Sequence, residues 1–158
     1  MPETPHQVQE IMTSPCVTAG PETPLVEVAG MMQSLDIGSV VIADPDDRLL
    51  GIISESDFTA IGRFIPYTLE LAPAIFGERA ATWEELRHIY DKAGRLKARE
   101  VMSRDVYTVK PTDPIGEVLR VMLARNMKHV PVVESGKAVG MVSRHDVLRL
   151  LLPNLGRG

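Results

Sequence analysis

A single cysteine, Cys16, leaves this chain without an internal disulfide, so a disulfide-stapled secreted scaffold is excluded. Aromatic residues make up only 4% of the sequence. No apolar run approaches the roughly 20 residues that a membrane-spanning helix needs, and the N-terminus lacks the basic and apolar regions of a signal peptide. These absences predict a reducing cytoplasm and no membrane partner. Basic residues are in deficit, 17 Lys and Arg against 21 Asp and Glu, for a net charge of −4. With no basic block, the electrostatic term that drives nucleic-acid binding is missing, which argues against nucleic acid as a partner. The sequence also lacks a Walker loop, a dinucleotide fingerprint, a Ser/His/Asp set with its local motif, and a cluster of metal ligands. It therefore predicts a protein that is not an enzyme, has no metal site and requires no cofactor.

What the chain does have is repetition. Val8-Gln9-Glu10-Ile11-Met12-Thr13 returns as Ala98-Arg99-Glu100-Val101-Met102-Ser103, a shift of 90 that continues through Val17-Thr18 and Tyr107-Thr108. Past Glu134 the shift becomes 89, and Gly51-Ile52-Ile53-Ser54-Glu55-Ser56-Asp57 aligns with Gly140-Met141-Val142-Ser143-Arg144-His145-Asp146. Units of about 50 to 60 residues bury too little surface to stand alone, so two copies must share a core. The division predicted is repeat 1 at 1–59, an insert at 60–97 and repeat 2 at 98–158, the two repeats forming one module about a pseudo-twofold axis with two related clefts.

Each copy carries the same punctuation. Thr23 before Pro24, and Asp113 before Pro114, predict an N-cap followed by proline at the first helical position. Leu25, Val28, Ala29, Met32 and Leu35 then share one helical face, as do Ile115, Val118, Leu119 and Met122. Two apolar runs follow each helix, Ser39–Ala43 with Leu49–Ile53, and Val130–Val133 with Ala138–Val142. Asp44–Arg48 and Glu134–Lys137 separate them as hairpin turns. With a first strand at Val17-Thr18 or Tyr107-Thr108, each repeat reads β-α-β-β-α, an α/β (α+β) fold. Pro131 has no N–H to donate, so its strand should be an edge or be bulged.

The insert holds five of the seven aromatic residues, Phe64, Tyr67, Phe76, Trp83 and Tyr90, which suits a packed segment better than a solvated linker. Thr82-Trp83-Glu84-Glu85 has the form of a capping box, Leu86, Ile89, Tyr90 and Ala93 follow at helical spacing, and Gly94 suits C′. The irregular stretch before this helix is punctuated by Pro66 and Pro73.

The most informative local pattern is a glycine-led strand running into Ser-x-x-Asp at a helix start, at Gly51–Asp57 and again at Gly140–Asp146. It gives each repeat a resemblance to a cystathionine-β-synthase (CBS) domain, and gives the tandem, about 8–59 and 98–152, a resemblance to the CBS pair or Bateman module. In that family, clefts between the repeats bind adenosine-containing ligands, the aspartate taking the ribose. The resemblance thus implies ribose contacts from Asp57 and Asp146, with Ser54 and Ser143 assisting. The chemistry is reasonable: a carboxylate on the first turn of a helix can accept bonds from two vicinal hydroxyls, and the helix N-terminus favours a nearby anion. The same spacing is also a common way to cap a helix with no ligand at all, so both readings stand.

The copies differ where a phosphate or other charged group would sit. Lys128, His129, Arg144 and His145 furnish the second repeat, against Gly38, Ser39, Glu55 and Ser56 in the first, which predicts unequal clefts. Thr18 and Thr108 are further positions from which family clefts receive contacts. Cys16 has no basic neighbour in sequence that would activate its thiol. Glu84 and His88 are two residues at i, i+4 without a third metal ligand, His6 falls in a frayed N-terminus, and Met12, Met32, Met102 and Met122 read as core filler. The function implied is a regulatory module sensing AMP, ADP, ATP, S-adenosylmethionine or a dinucleotide. The resemblance also implies a homodimer, and with no effector domain in the sequence, output would pass to a separate effector protein. The rival is a structural or interaction dimer whose clefts bind nothing.

Overall fold

Residues 6–59, 84, 87, 91 and 94–151 are described in the computed structural model of the chain. A 3₁₀ turn at Val8–Glu10 precedes β1 (Thr18–Ala19), α1 (Leu25–Leu35), β2 (Ser39–Ala43), β3 (Leu49–Ser54) and α2 (Glu55–Thr59). After the insert come α3 (Ala98–Val101), α4 (Ile115–Ala124), β4 (His129–Glu134), β5 (Lys137–Ser143) and α5 (Arg144–Leu151). This is the mixed α/β order that the repeats predict. Strands β1, β2 and β3 form a sheet in that order, and β4 pairs antiparallel with β5. No helix among the described residues is long and apolar enough to cross a membrane.

Both hairpins close as their turn residues dictate. Ser135 and Gly136 take positive φ, 52° and 79°, between the paired Glu134 and Lys137, the backbone that a two-residue turn between twisted strands needs. In the first repeat, Asp44 Oδ1 accepts from the N–H groups of Asp46 and Arg48, both at 2.9 Å. Helices α1 and α4 each release the chain through a left-handed residue, Asp36 and Asn126, both at φ 51°, residue types that tolerate this conformation.

The helices begin differently from the sequence prediction. Pro24 and Pro114 are themselves the N-cap residues, with ψ 139° and 132°. Thr23 and Asp113 do not cap forward, because their side chains close the preceding turn: Thr23 Oγ1 accepts from Gly20 N–H at 3.1 Å and Asp113 Oδ2 from Lys110 N–H at 2.7 Å. The first helical N–H groups are satisfied from afar, Leu25 N–H by Leu96 O at 2.8 Å and Ile115 N–H by His6 O at 3.0 Å.

The strand expected at Tyr107-Thr108 is reduced to one parallel bridge between Val109 and Val132. Val109 N–H donates to Pro131 O at 3.1 Å and Val133 N–H to Val109 O at 2.8 Å. The next bond of such a ladder would run from the N–H of residue 131 to Tyr107 O, and proline has none. The predicted irregularity of this strand is visible as a register shift between Val132 and Val133.

Two compact units result. One joins Asp105 onward to the N-terminal residues up to Thr18 and to Ala43–Leu50, and the other joins Ala19–Ile42 to Gly51–Arg104. Each unit therefore contains a leg whose sequence belongs to the other repeat. In the first, Val8 and Ile11 are buried in one cluster with Val109, Ile115, Val118, Met122, Val130, Val132 and Val142. Thr13 and Met141 exchange N–H···O bonds of 2.9 and 3.0 Å. In the second, Ser103 and Ile52 make the equivalent pair at 2.9 and 3.0 Å.

The motif glycines permit this packing. A Cβ at Gly140 would lie 2.8 Å from Met12 Sδ and 3.0 Å from Thr13 O, and one at Gly51 would lie 2.7 Å from Ser103 O and 2.8 Å from Met102 Sδ. Both are distances that real Cβ contacts avoid, so the legs lie directly on the glycine strands.

The predicted inward faces hold for Leu25, Val28 and Met32 of α1 and for Ile115, Val118 and Met122 of α4. Leu35 is the correction: at 54% exposure it sits in the last turn, where the chain is already leaving through Asp36. In the insert, Glu84, Arg87 and Asp91 are helical and exposed. The Thr82 cap, His88 and the aromatic residues Phe64, Tyr67, Phe76, Trp83 and Tyr90 lie outside the described residues.

Candidate functional site

The two Ser-x-x-Asp sequences form helix starts of the same design. Ser54 and Ser143 end β3 and β5, and α2 and α5 begin at the next residue. Asp57 Oδ2 accepts from Ser54 N–H at 2.8 Å and from its hydroxyl at 3.3 Å. Asp146 Oδ2 accepts from Ser143 N–H at 2.8 Å and from its hydroxyl at 3.1 Å, while Asp146 N–H donates back to Ser143 Oγ at 3.4 Å. These carboxylates cap backbone donors that a helix cannot satisfy internally, as the sequence allowed.

Beyond that shared frame the two aspartates differ. Asp146 is 3% exposed, and its Oδ1 accepts from the Thr13 hydroxyl at 3.0 Å and from the Arg149 guanidinium. Four donors thus meet one carboxylate, about the number of lone-pair sites it offers. Asp57 is half-buried, and among the described residues its Oδ1 meets neither a hydroxyl nor a cation. Neither Thr13 nor Arg149 was a sequence-predicted site residue. Thr13 lies 133 positions from Asp146, beyond any local motif, whereas Arg149 stands at i+3 on the same helix and could have been noticed. At the position matching Arg149 the first repeat has Ala60.

The predicted basic residues gather around the second junction. His129 opens β4 and pairs in register with Ser143, and Arg144 N–H donates to Lys128 O at 3.1 Å. Lys128, Arg144 and His145 are exposed. The Arg144 guanidinium donates to Asn126 Oδ1 at 2.8 Å, and among the described residues neither Lys128 nor Arg144 has an ion-pair partner. The matching corner of the first repeat has the opposite charge, with Asp36 and Glu55 where the second has Asn126 and Arg144.

Other predicted positions are not drawn in. Thr18 begins β1 and Thr108 precedes the Val109 bridge; both are half-buried, and no hydrogen bond among the described residues joins either to Asp57 or Asp146. A cavity of about 610 Å³ lies beside the start of α4, lined by His6, Gln7, Thr112, Pro114, Ile115, Gly116, Leu119 and Leu150. It includes none of the predicted site residues. Burial pushes the Cys16 thiol up to about 11, in keeping with the passive role read for it. Among the described residues no group of three or more His, Cys, Asp and Glu could hold a metal.

Comparison with known proteins agrees with this architecture. The CBS domain family model matches residues 8–61 and 98–153. The CBS domain of a CBS domain containing membrane protein from Sphaerobacter thermophilus superposes with a TM-score of 0.73 at 35% identity, covering 94% of this chain and 90% of that one. Uncharacterized protein MJ1426 of Methanocaldococcus jannaschii is 29% identical over 154 residues, spanning 92% of this chain and 90% of its own length. The CBS domain pair of protein MJ0100, solved in complex with 5′-methylthioadenosine and S-adenosyl-L-methionine, has a TM-score of 0.66 at 25% identity and covers 92% of this chain and 94% of that one. Two matched repeats, each carrying an aspartate that caps the serine three residues before it, make this chain a member of the CBS domain family.

Proposed function

We propose that the chain is a regulatory module that binds an adenine nucleotide or another adenosyl ligand and signals by a change of shape or association. The observation that carries this reading is the twice-built Ser-x-x-Asp junction, which holds a carboxylate on the first turn of a helix in each repeat. Asp57 and Asp146 are the ribose acceptors, with Ser54 and Ser143 fixing their orientation. Lys128, His129, Arg144 and His145 supply the contacts to a phosphate or other charged group, and Thr18 and Thr108 stand as outlying contacts. The adenosyl ligands of the MJ0100 pair support this choice of ligand class. Regulation then follows from differential affinity, since a ligand shifts an equilibrium only by the difference in its affinities for the two states. Exposed Val26, Leu35, Leu123 and Leu148 support association with a second copy, and a separate effector protein receives the output.

A second reading is favoured by one specific observation. Asp146 already has four donors, so a pure capping role would leave the chain a structural or interaction dimer. Thermal unfolding of nucleotide-stripped protein with AMP, ADP, ATP and S-adenosylmethionine separates the two. A ligand at 100 times its dissociation constant adds about 2.7 kcal/mol, and under the sensor reading that shift disappears in Asp57→Ala or Asp146→Ala. Identical melts with and without every ligand leave only the dimer reading.

A further inference from the structure

Three of the four donors on Asp146 are fixed by the fold, namely the backbone and hydroxyl of Ser143 and the hydroxyl of Thr13 on the packed leg. The fourth is different. Arg149 reaches Oδ1 from one turn along α5 with a long side chain that is 61% exposed, while the carboxylate it holds is 3% exposed. It is the donor that an incoming hydroxyl can replace without unfolding anything, and a charge-assisted bond is the stronger class of contact to give up. A neutral nucleoside that takes Oδ1 leaves the guanidinium without an anion. A nucleoside phosphate brings one with it, to a junction where Lys128 and Arg144 carry no ion pairs among the described residues and Asn126 already orients Arg144. Ala60 at the matching position of the first repeat can play no such part.

We propose that Arg149 is a selectivity residue that competes with ribose for Asp146 and, once displaced, pairs with the ligand's phosphate, so that the second repeat takes phosphorylated rather than neutral adenosyl ligands. This rests on the nucleotide-binding reading above and specifies its ligand. The test is isothermal titration of AMP and of adenosine into wild type, Arg149→Gln and Arg149→Lys, each first shown by its melting curve to be folded. Wild type binds AMP more tightly than adenosine. Arg149→Gln tightens adenosine and weakens AMP, so that their affinity ratio falls by about tenfold or more, and Arg149→Lys retains part of the preference because it keeps a cation. If Arg149→Gln shifts both ligands equally or neither, Arg149 is a helix-surface ion pair and the inference fails while the nucleotide reading survives. If neither wild type nor Arg149→Gln binds either ligand, the inference fails, and the nucleotide reading falls with it only if ADP, ATP and S-adenosylmethionine also leave the melting curve of the wild type unchanged.

Discussion

The Thr13 hydroxyl donates to Asp146 Oδ1 at 3.0 Å across 133 positions of sequence, tying the N-terminal leg to the first turn of α5. Its backbone is bound to the same repeat, through the pair of bonds with Met141. The leg is therefore held both by its main chain and by a side chain placed on a buried carboxylate.

Replacing Thr13 by valine keeps the shape and removes the hydroxyl. Asp146 then loses one of the two donors on Oδ1 and keeps Arg149. Because Thr13 is itself exposed, the expected cost is that of a single hydrogen bond, about 0.5–1.5 kcal/mol. Thr13→Ser keeps the bond and should remain within about 0.5 kcal/mol of wild type. Urea unfolding of the three proteins checks this, and equal midpoints for valine and threonine would show that the contact contributes nothing.

The motif glycines make a second prediction. Gly51→Ala and Gly140→Ala each drive a methyl group into a leg, against Ser103 O in one case and Met12 Sδ and Thr13 O in the other. Overpacking of this kind costs about 1–3 kcal/mol. Gly51 meets backbone at 2.7 Å while Gly140 meets a flexible thioether first, so Gly51→Ala is expected to be the more damaging, as measured by denaturant midpoints at unchanged m-value.

Much of this was legible in the sequence because it is local. The hairpins follow from Asp44–Arg48 and Ser135-Gly136, the helix starts from Ser-x-x-Asp, and the family from the duplication of both. What stayed hidden depends on distant partners. Thr23 and Pro24 fit a cap-and-proline start, yet the helical N–H they should leave open is taken by Leu96. Tyr107-Thr108 has the composition of a strand, but its ladder depends on a donor that Pro131 lacks. Nothing near Asp146 announces Thr13, and the periodicity that placed Leu35 inward takes no account of the chain turning away at Asp36.

That last difference can be measured. Leu25 and Leu35 sit on the same predicted helical face, but they are 1% and 54% exposed. Leu25→Ala removes a fully buried side chain and should cost about 2–5 kcal/mol. Leu35→Ala should fall within about 0.5 kcal/mol of wild type at protein concentrations where the chain is monomeric. A Leu35 variant as damaging as the Leu25 one under those conditions would mean that α1 packs in a different rotation.

Cys16 offers a pH-dependent test whose sign can be worked out. Burial favours the neutral thiol and pushes it up to about 11 in the folded protein, against about 8.5 for a cysteine in an unfolded chain. As pH rises through about 8.5 the unfolded chain gives up this proton first, while the folded chain holds it until about 11. Between those values the unfolded state binds fewer protons, so the contribution of this residue to stability is fully present below about pH 8.5 and is lost as pH climbs toward 11. The stability difference between wild type and Cys16→Ser should therefore shift against wild type across that window. Alkylation supplies an independent reading, because the thiolate is the reactive form. At about pH 8, iodoacetamide should modify the folded protein much more slowly than the same protein in urea, with the two rates converging as pH approaches the folded value. Equal rates at the lower pH would mean that the thiol is neither shielded nor shifted, and that the segment around Cys16 opens to solvent on the timescale of the reaction.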